Sequence, residues 1–226
     1  PLMAMPTADG DVLVSTREQP GPDALIYFGG NAEDVSFALE GLAQVFPGHA
    51  LYLPHYRGFG GSAGQPSEAA LVGDALALFD EVHARHTNVV VIGRSLGSGV
   101  AVQLAAKRPV RRLALVTPFD SVESVAGHFY PWLPVQWLLK DKFDSVAHAQ
   151  GVSVPTLVLS AGRDQVVPPE NTRRLIKSFA PQQIAHQEFP DAGHDDISGE
   201  PAYPEAWGNF LRLGQGALQK KDESHV

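Results

Sequence analysis

The chain contains no cysteine, which excludes disulfide bonds and cysteine catalysis together. Cations are also scarce: 17 Lys and Arg stand against 25 Asp and Glu, a formal net charge of −8. A surface that neutralises phosphates needs a basic face, so nucleic acid is excluded as a main partner. The pairs Arg111-Arg112 and Arg173-Arg174 are short and fit helix ends or solvated faces. No run reaches the roughly 18 apolar residues of a membrane span. The opening Pro1-Leu2-Met3-Ala4-Met5 has neither the charged nor the apolar region of a secretory leader, so a cytoplasmic location is expected. There is no internal repeat.

What is present is a regular alternation. Short apolar runs at Val12–Val14, Leu25–Phe28, Ala50–Leu53, Val89–Ile92, Leu113–Val116, Thr156–Ser160 and Ile184–Phe189 read as strands. Continuous Val/Leu/Ile runs indicate strands buried on both faces, as in a parallel sheet with helices on either side. The spacing predicts helices over Val35–Phe46, Ser67–Arg85, Gly97–Lys107, Pro169–Ala180 and Pro204–Leu213, with Ser67 as an N-cap. At 226 residues and 44% hydrophobic content, one domain with a sizeable core is expected across 1–226. About 119–153 reads as a small helical insertion, and 219–226 as a polar tail that frays.

Gly93-Arg94-Ser95-Leu96-Gly97 follows the run Val89–Ile92 and opens into a small-residue helix. A strand, a sharp turn carrying serine and then a helix is the context of a nucleophile elbow. The helix N-terminus aims free N–H groups at charge developing beside Ser95. A bare Gly-Ser turn between strand and helix is the bland alternative, so the partners matter. A serine hydroxyl needs a base, and the base an orienting acid, in the chain order Ser, Asp, His. Asp164 follows the strand Thr156–Ser160, and His194 follows Ile184–Phe189. Asp164 can equally be a turn or cap residue. The rival acids Asp191, Asp195 and Asp196 lie too close to His194 in the chain to fit that order. His186 reads as a sheet-face residue. His83 and His86, three apart on a helix, lack the further ligands a metal would need.

An oxyanion requires two backbone donors. Leu96 supplies one by position. The second is expected from the loop Gly29-Gly30-Asn31-Ala32-Glu33-Asp34, from Asn31 with Gly30 as alternative. A Gly-Gly-Asn turn capped by Asn31 or Asp34 is compatible with that role.

These residues together resemble the α/β-hydrolase superfamily, and within it the small, nearly lidless serine hydrolases of the BEM46 and ABHD13/ABHD17-like group. The likeness lies in Phe28–Asp34, Tyr56–Ser62, Gly93–Gly99, Gly162–Pro168 and Gly193–Asp196, and spans about 10–212. It implies an α/β-hydrolase fold: a mostly parallel central sheet, helices on both faces and a minimal cap. It also implies a Ser95–His194–Asp164 triad and no cofactor. One departure stands out. Gly29 occupies the place of the usual His, so the side-chain contacts that brace the oxyanion loop should be lost.

The expected reaction is hydrolysis of small or short-chain carboxylic esters through a serine acyl-enzyme. Thioesterase or peptidase/amidase activity on the same triad is the alternative, and a non-catalytic binding protein on the same fold is the alternative of another class. The expected partner is a small-molecule ester. Gly30, Phe119, Tyr130, Trp132, Leu133 and Trp137 are the candidate substrate-lining residues. For the aromatics, packing a helical excursion onto the core remains the other reading.

Overall fold

A computed structural model describes residues 1–212. The predicted tail 219–226 and the end of the last predicted helix at Leu213 lie outside the described residues. Eight strands form one sheet in the order β1-β2-β4-β3-β5-β6-β7-β8: β1 Leu2–Met5, β2 Val12–Arg17, β3 Asp23–Phe28, β4 Ala50–Pro54, β5 Asn88–Arg94, β6 Arg112–Val116, β7 Thr156–Ala161 and β8 Ile184–Phe189. The β1/β2 and β2/β4 pairs are antiparallel, and every other pair is parallel. All seven predicted strands are present. β1 is the addition; its Leu-Met-Ala-Met run is apolar but has none of the β-branched or aromatic residues that mark the other strands, and Met5 is its one buried residue.

The helices follow the predicted alternation. They are α1 Ala38–Val45, α2 Glu68–His83, α3 Leu96–Ala105, α4 Val122–Phe129, α5 Val135–Leu138, α6 Ser145–Ala149, α7 Pro169–Ser178 and α8 Tyr203–Arg212. The first predicted helix starts as a 3-10 turn over Val35–Phe37, because Asp34 caps it by accepting from the Ser36 N–H. Ser67 caps α2 through the Ala70 N–H, as the sequence indicates.

Strand residues alternate between two cores. Ile26, Phe28, Val89 and Val91 face α2, α3, α6 and α7. Leu25, Tyr27, Val90 and Ile92 face α1 and α8. The central strands are buried on both sides, so their side chains are committed to packing. Chemistry is left to the loops at their carboxyl ends.

One expectation is corrected. Arg112 is not on a solvated face: it sits within β6 and is buried. Arg173 and Arg174 are exposed on α7, as expected, and Arg174 Nε donates to the buried Asp120 carboxylate at 2.6 Å. Residues 119–153 contain α4, α5 and α6.

Candidate active site

Ser95 stands between β5 and α3 with φ 49° and ψ −118°. A positive φ is strained for a side chain with a Cβ, and a surrounding over-determined structure must hold it. The Ser95 N–H donates to the Val116 carbonyl at 2.9 Å, and its own carbonyl accepts from the Ser98 N–H and hydroxyl. The flanking glycines are sterically required. A Cβ on Gly97 would lie 2.1 Å from the Phe28 carbonyl oxygen, and one on Gly93 would lie 2.4 Å from that of Gly97.

The three residues singled out in the sequence meet at this edge. His194 Nε2 is 2.9 Å from Ser95 Oγ, and His194 Nδ1 is 2.8 Å from Asp164 Oδ2. The Asp164 and His194 side chains are 3% and 8% exposed, which keeps water from competing for their bond. Both readings of Asp164 hold at once. Its Oδ1 accepts from the Val166 and Val167 N–H groups, anchoring the turn, while Oδ2 faces the imidazole. With Nδ1–H held by the carboxylate, Nε2 is the nitrogen free to accept the serine proton.

The rival residues are occupied elsewhere. Asp191 pairs with Arg163, Asp195 with Arg94, and Asp196 accepts from the Gly193 N–H. His186 bonds to Ser160 Oγ at 2.8 Å. His86 contacts the Tyr52 hydroxyl and the Gly21 carbonyl, and His83 stacks on Phe79. No group of three or more potential metal ligands occurs among the described residues.

The early loop is braced, though not by the expected means. Gly29 could not carry a larger side chain here, because a Cβ would lie 2.5 Å from Val35 Cγ1. Its carbonyl instead accepts from the Tyr56 hydroxyl at 2.8 Å. Burial, followed by the nearby Glu33 charge, pushes the Tyr56 phenol well above its ordinary range and keeps it a donor. Glu33, which the motif reading did not single out, is the hub. Oε1 accepts from the Tyr27 hydroxyl at 2.8 Å, and Oε2 from the Gly30 N–H at 2.6 Å and from Arg94 at 3.0 Å. Arg94 also reaches Asp195 at 2.8 Å and the His194 carbonyl at 3.4 Å. Burial works against the Arg94 charge, but Glu33, Tyr27 and Asp195 together raise its pKa. One guanidinium thus ties the early loop, the serine turn and the histidine loop. A carboxylate three residues after Gly30, with an Arg beside the serine, is the sequence signal that could have suggested it.

This bonding distinguishes the two candidate donors. The Gly30 N–H is already committed to Glu33. Asn31 is exposed, and its N–H has no partner among the described residues. Leu96 occupies the first position of α3, where the N–H has no intrahelical acceptor.

The candidate substrate-lining residues divide. A Cβ at Gly30 would stand 3.6 Å from that of Ser95, so this residue flanks the hydroxyl. Phe119 is buried in the core, with its ring packed beneath Gly99 of α3. Tyr130, Trp132, Leu133 and Trp137 are exposed on the α4–α5 excursion, Trp132 and Trp137 at 73% and 81%. Beside the Asp164 and His194 loops lie two clefts. One of about 510 Å³ is lined by His194, Gln165 and Val166, and another of about 540 Å³ by Asp164, His128 and Phe129. No described helix is long and apolar enough to cross a membrane.

Residues 25–146 match the family described as serine aminopeptidase, S33. Two uncharacterized Mycobacterium tuberculosis sequences are each 38% identical over 182 residues, covering 78% of this chain. The chain spans 64% of the length of those relatives. The bem46 protein of Schizosaccharomyces pombe is 27% identical over 222 residues, covering 91% of this chain and 72% of its own. The lysophosphatidylserine lipase ABHD12 of Macaca fascicularis is 35% identical over 146 residues, covering 56% and 37%. Among solved structures, the Pyrococcus furiosus esterase Pf2001 superposes with a TM-score of 0.73 at 15% identity, covering 94% of this chain and 91% of its own; the likeness is one of fold.

Proposed function

The chain belongs to the serine aminopeptidase S33 family of α/β hydrolases, and from that premise we propose that it hydrolyses small or short-chain carboxylic esters through a Ser95 acyl-enzyme. The observation that carries this reading is the unbroken line of hydrogen bonds from Asp164 through His194 to the Ser95 hydroxyl.

Ser95 Oγ attacks the ester carbonyl carbon while His194 Nε2 takes its proton. Asp164 holds the ring and stabilises the imidazolium. The N–H groups of Leu96 and Asn31 receive the oxyanion, a contribution of about 10²–10³ in rate per donor. The tetrahedral adduct collapses, the C–O bond to the alcohol breaks, and His194 returns the proton to the departing oxygen. Water then repeats the sequence on the acyl-enzyme, releasing the acid and restoring the serine. Each step uses side chains and amides already in the site.

A half-buried Ser95 and an excursion whose Trp132 and Trp137 stay in solvent support a shallow acyl site, suited to short chains. The aromatics of α4 and α5 are the residues we assign to acyl contact. The family description favours a second reading, amide or peptide cleavage on the same three residues; a thioester would be attacked by the same path.

Labelling with a fluorophosphonate probe tests the activated serine. Stoichiometric modification at Ser95, abolished by Ser95→Ala, is expected; a folded protein that does not label is a binding scaffold. Matched acyl esters, thioesters and amides of graded chain length then read the preferred bond. Turnover highest on short esters is expected, and exclusive amide turnover replaces the ester reading with the peptidase one.

A further inference from the structure

A cavity of about 560 Å³ opens on the other side of Arg94, between α1, α8 and the sheet. Its volume falls in the range of small-molecule sites. The body is apolar: Leu42 and Val45 of α1, Ile92 of β5, Val116 of β6 and Trp207 of α8. Phe37 stands at its edge, 86% exposed. One wall is charged, and the charge is lopsided. Glu33, Asp34 and Asp195 contribute three carboxylates, and Arg94 is the one cation among the described lining residues, leaving two negative charges in excess among them.

Arg94 is not available to an incoming anion. Its two terminal nitrogens are held by Glu33 and Asp195, so a ligand carboxylate would have to displace a protein carboxylate. The Tyr27 and Tyr203 phenols in the same wall stay neutral; burial pushes Tyr203 up to about 12. Asp195 is 83% exposed at the mouth and, among the described residues, makes its one side-chain ion pair with Arg94, so it can take a second cation.

We propose that this cavity is a second binding site, distinct from the serine, for a small amphiphile with an apolar body and a cationic head group. The apolar part lies against Ile92, Val116 and Trp207, and the head sits between Asp195, Asp34 and Glu33. The same charge excess repels fatty carboxylates. The inference does not rest on the hydrolase reading, because occupancy is measured without turnover.

The experiment is a titration with octyltrimethylammonium below its micelle concentration. Trp207 fluorescence is the readout, in a Trp132→Phe/Trp137→Phe background that removes the two exposed indoles. A saturable change is expected, with octanoate at least about tenfold weaker at equal chain length. Gly41→Phe should abolish the response. A Cβ at Gly41 meets nothing within 4 Å, and replacing a helical glycine favours the helix, so the variant should fold. Ser198→Phe fills the cavity from the opposite wall and serves as a second occlusion. Octanoate binding as tightly as octyltrimethylammonium, a response surviving in both folded filling variants, or no response in the parent overturns the proposal.

Discussion

The loops that carry Ser95, Asp164 and His194 and the excursion between β6 and α6 are held in contrasting ways. The loops are fixed by backbone approach. Gly97 lies against Phe28, Gly93 against Gly97, and the Asp164 carboxylate is gripped by two amides as well as by the imidazole. The excursion hangs from two polar hooks. Asp120 accepts from the Ser121 N–H, Asn171 and Arg174, and Glu68 accepts from the Lys142 and Phe143 N–H groups and from Gln103. Between the hooks, Tyr130, Trp132 and Trp137 stand in solvent. In the loops one added methyl meets backbone; in the excursion a whole indole can be removed without opening a core. Reaction type, on the reading proposed above, belongs to the first region, and choice of acyl group to the second.

Substitutions can break this contrast, beginning with the largest effect. Asp164→Ala should lower ester turnover by about 10⁴-fold. It should also depress the thermal midpoint, since two amide hydrogen bonds at about 1 kcal/mol each go with it. Asp164→Asn retains an Oδ1 acceptor, so the same loss of rate with a near-normal midpoint would separate the catalytic from the anchoring half of this side chain. Gly97→Ala comes next. A Cβ 2.1 Å from a backbone oxygen cannot be accommodated by a side-chain shift, and a loss of at least about 4 kcal/mol in denaturant unfolding is expected. A tolerated alanine would show the elbow to be looser than its geometry.

Glu33→Ala sharpens the comparison at intermediate scale. It frees the Gly30 N–H and one of the two held nitrogens of Arg94, so kcat should fall by about 10- to 100-fold with KM moved less. A change in KM alone would mean that the hub shapes ground-state binding rather than the oxyanion pocket. The smallest effect is expected from Trp137→Ala: stability within about 0.5 kcal/mol of the parent, because the side chain is 81% exposed. Its KM should rise for the longer acyl chains of a graded series. If instead it unfolds the protein, the excursion is structural and the division fails.

The sheet was readable because buried parallel strands must be apolar throughout, and runs such as Val89–Ile92 and Thr156–Ser160 announce themselves. Ser95, Asp164 and His194 could be picked out because each follows such a run within a short loop. β1 escaped because Leu-Met-Ala-Met, though apolar, is a short edge run without β-branched or aromatic residues, and three of its four side chains are not buried. Glu33–Arg94 and Asp120–Arg174 escaped for another reason. Their partners lie 61 and 54 residues apart, and a charged residue in a loop looks the same whether it faces water or a distant guanidinium. The cavity behind Arg94 depends on how far α1 and α8 stand from the sheet, a distance that no local spacing encodes.

The Asp164 and His194 loops also share a seam. A Cβ on Gly162 would collide with the Pro190 backbone at 2.4 Å, the Gly162 and Arg163 amides donate to Phe189 and Ala192, and Arg163 pairs with Asp191 across the join. Two stretches almost thirty positions apart in the chain therefore behave as a single piece of hardware. Anyone grafting in a homologue's aspartate turn to retune this protein must transplant the histidine turn with it, and drift in one should be matched by drift in the other.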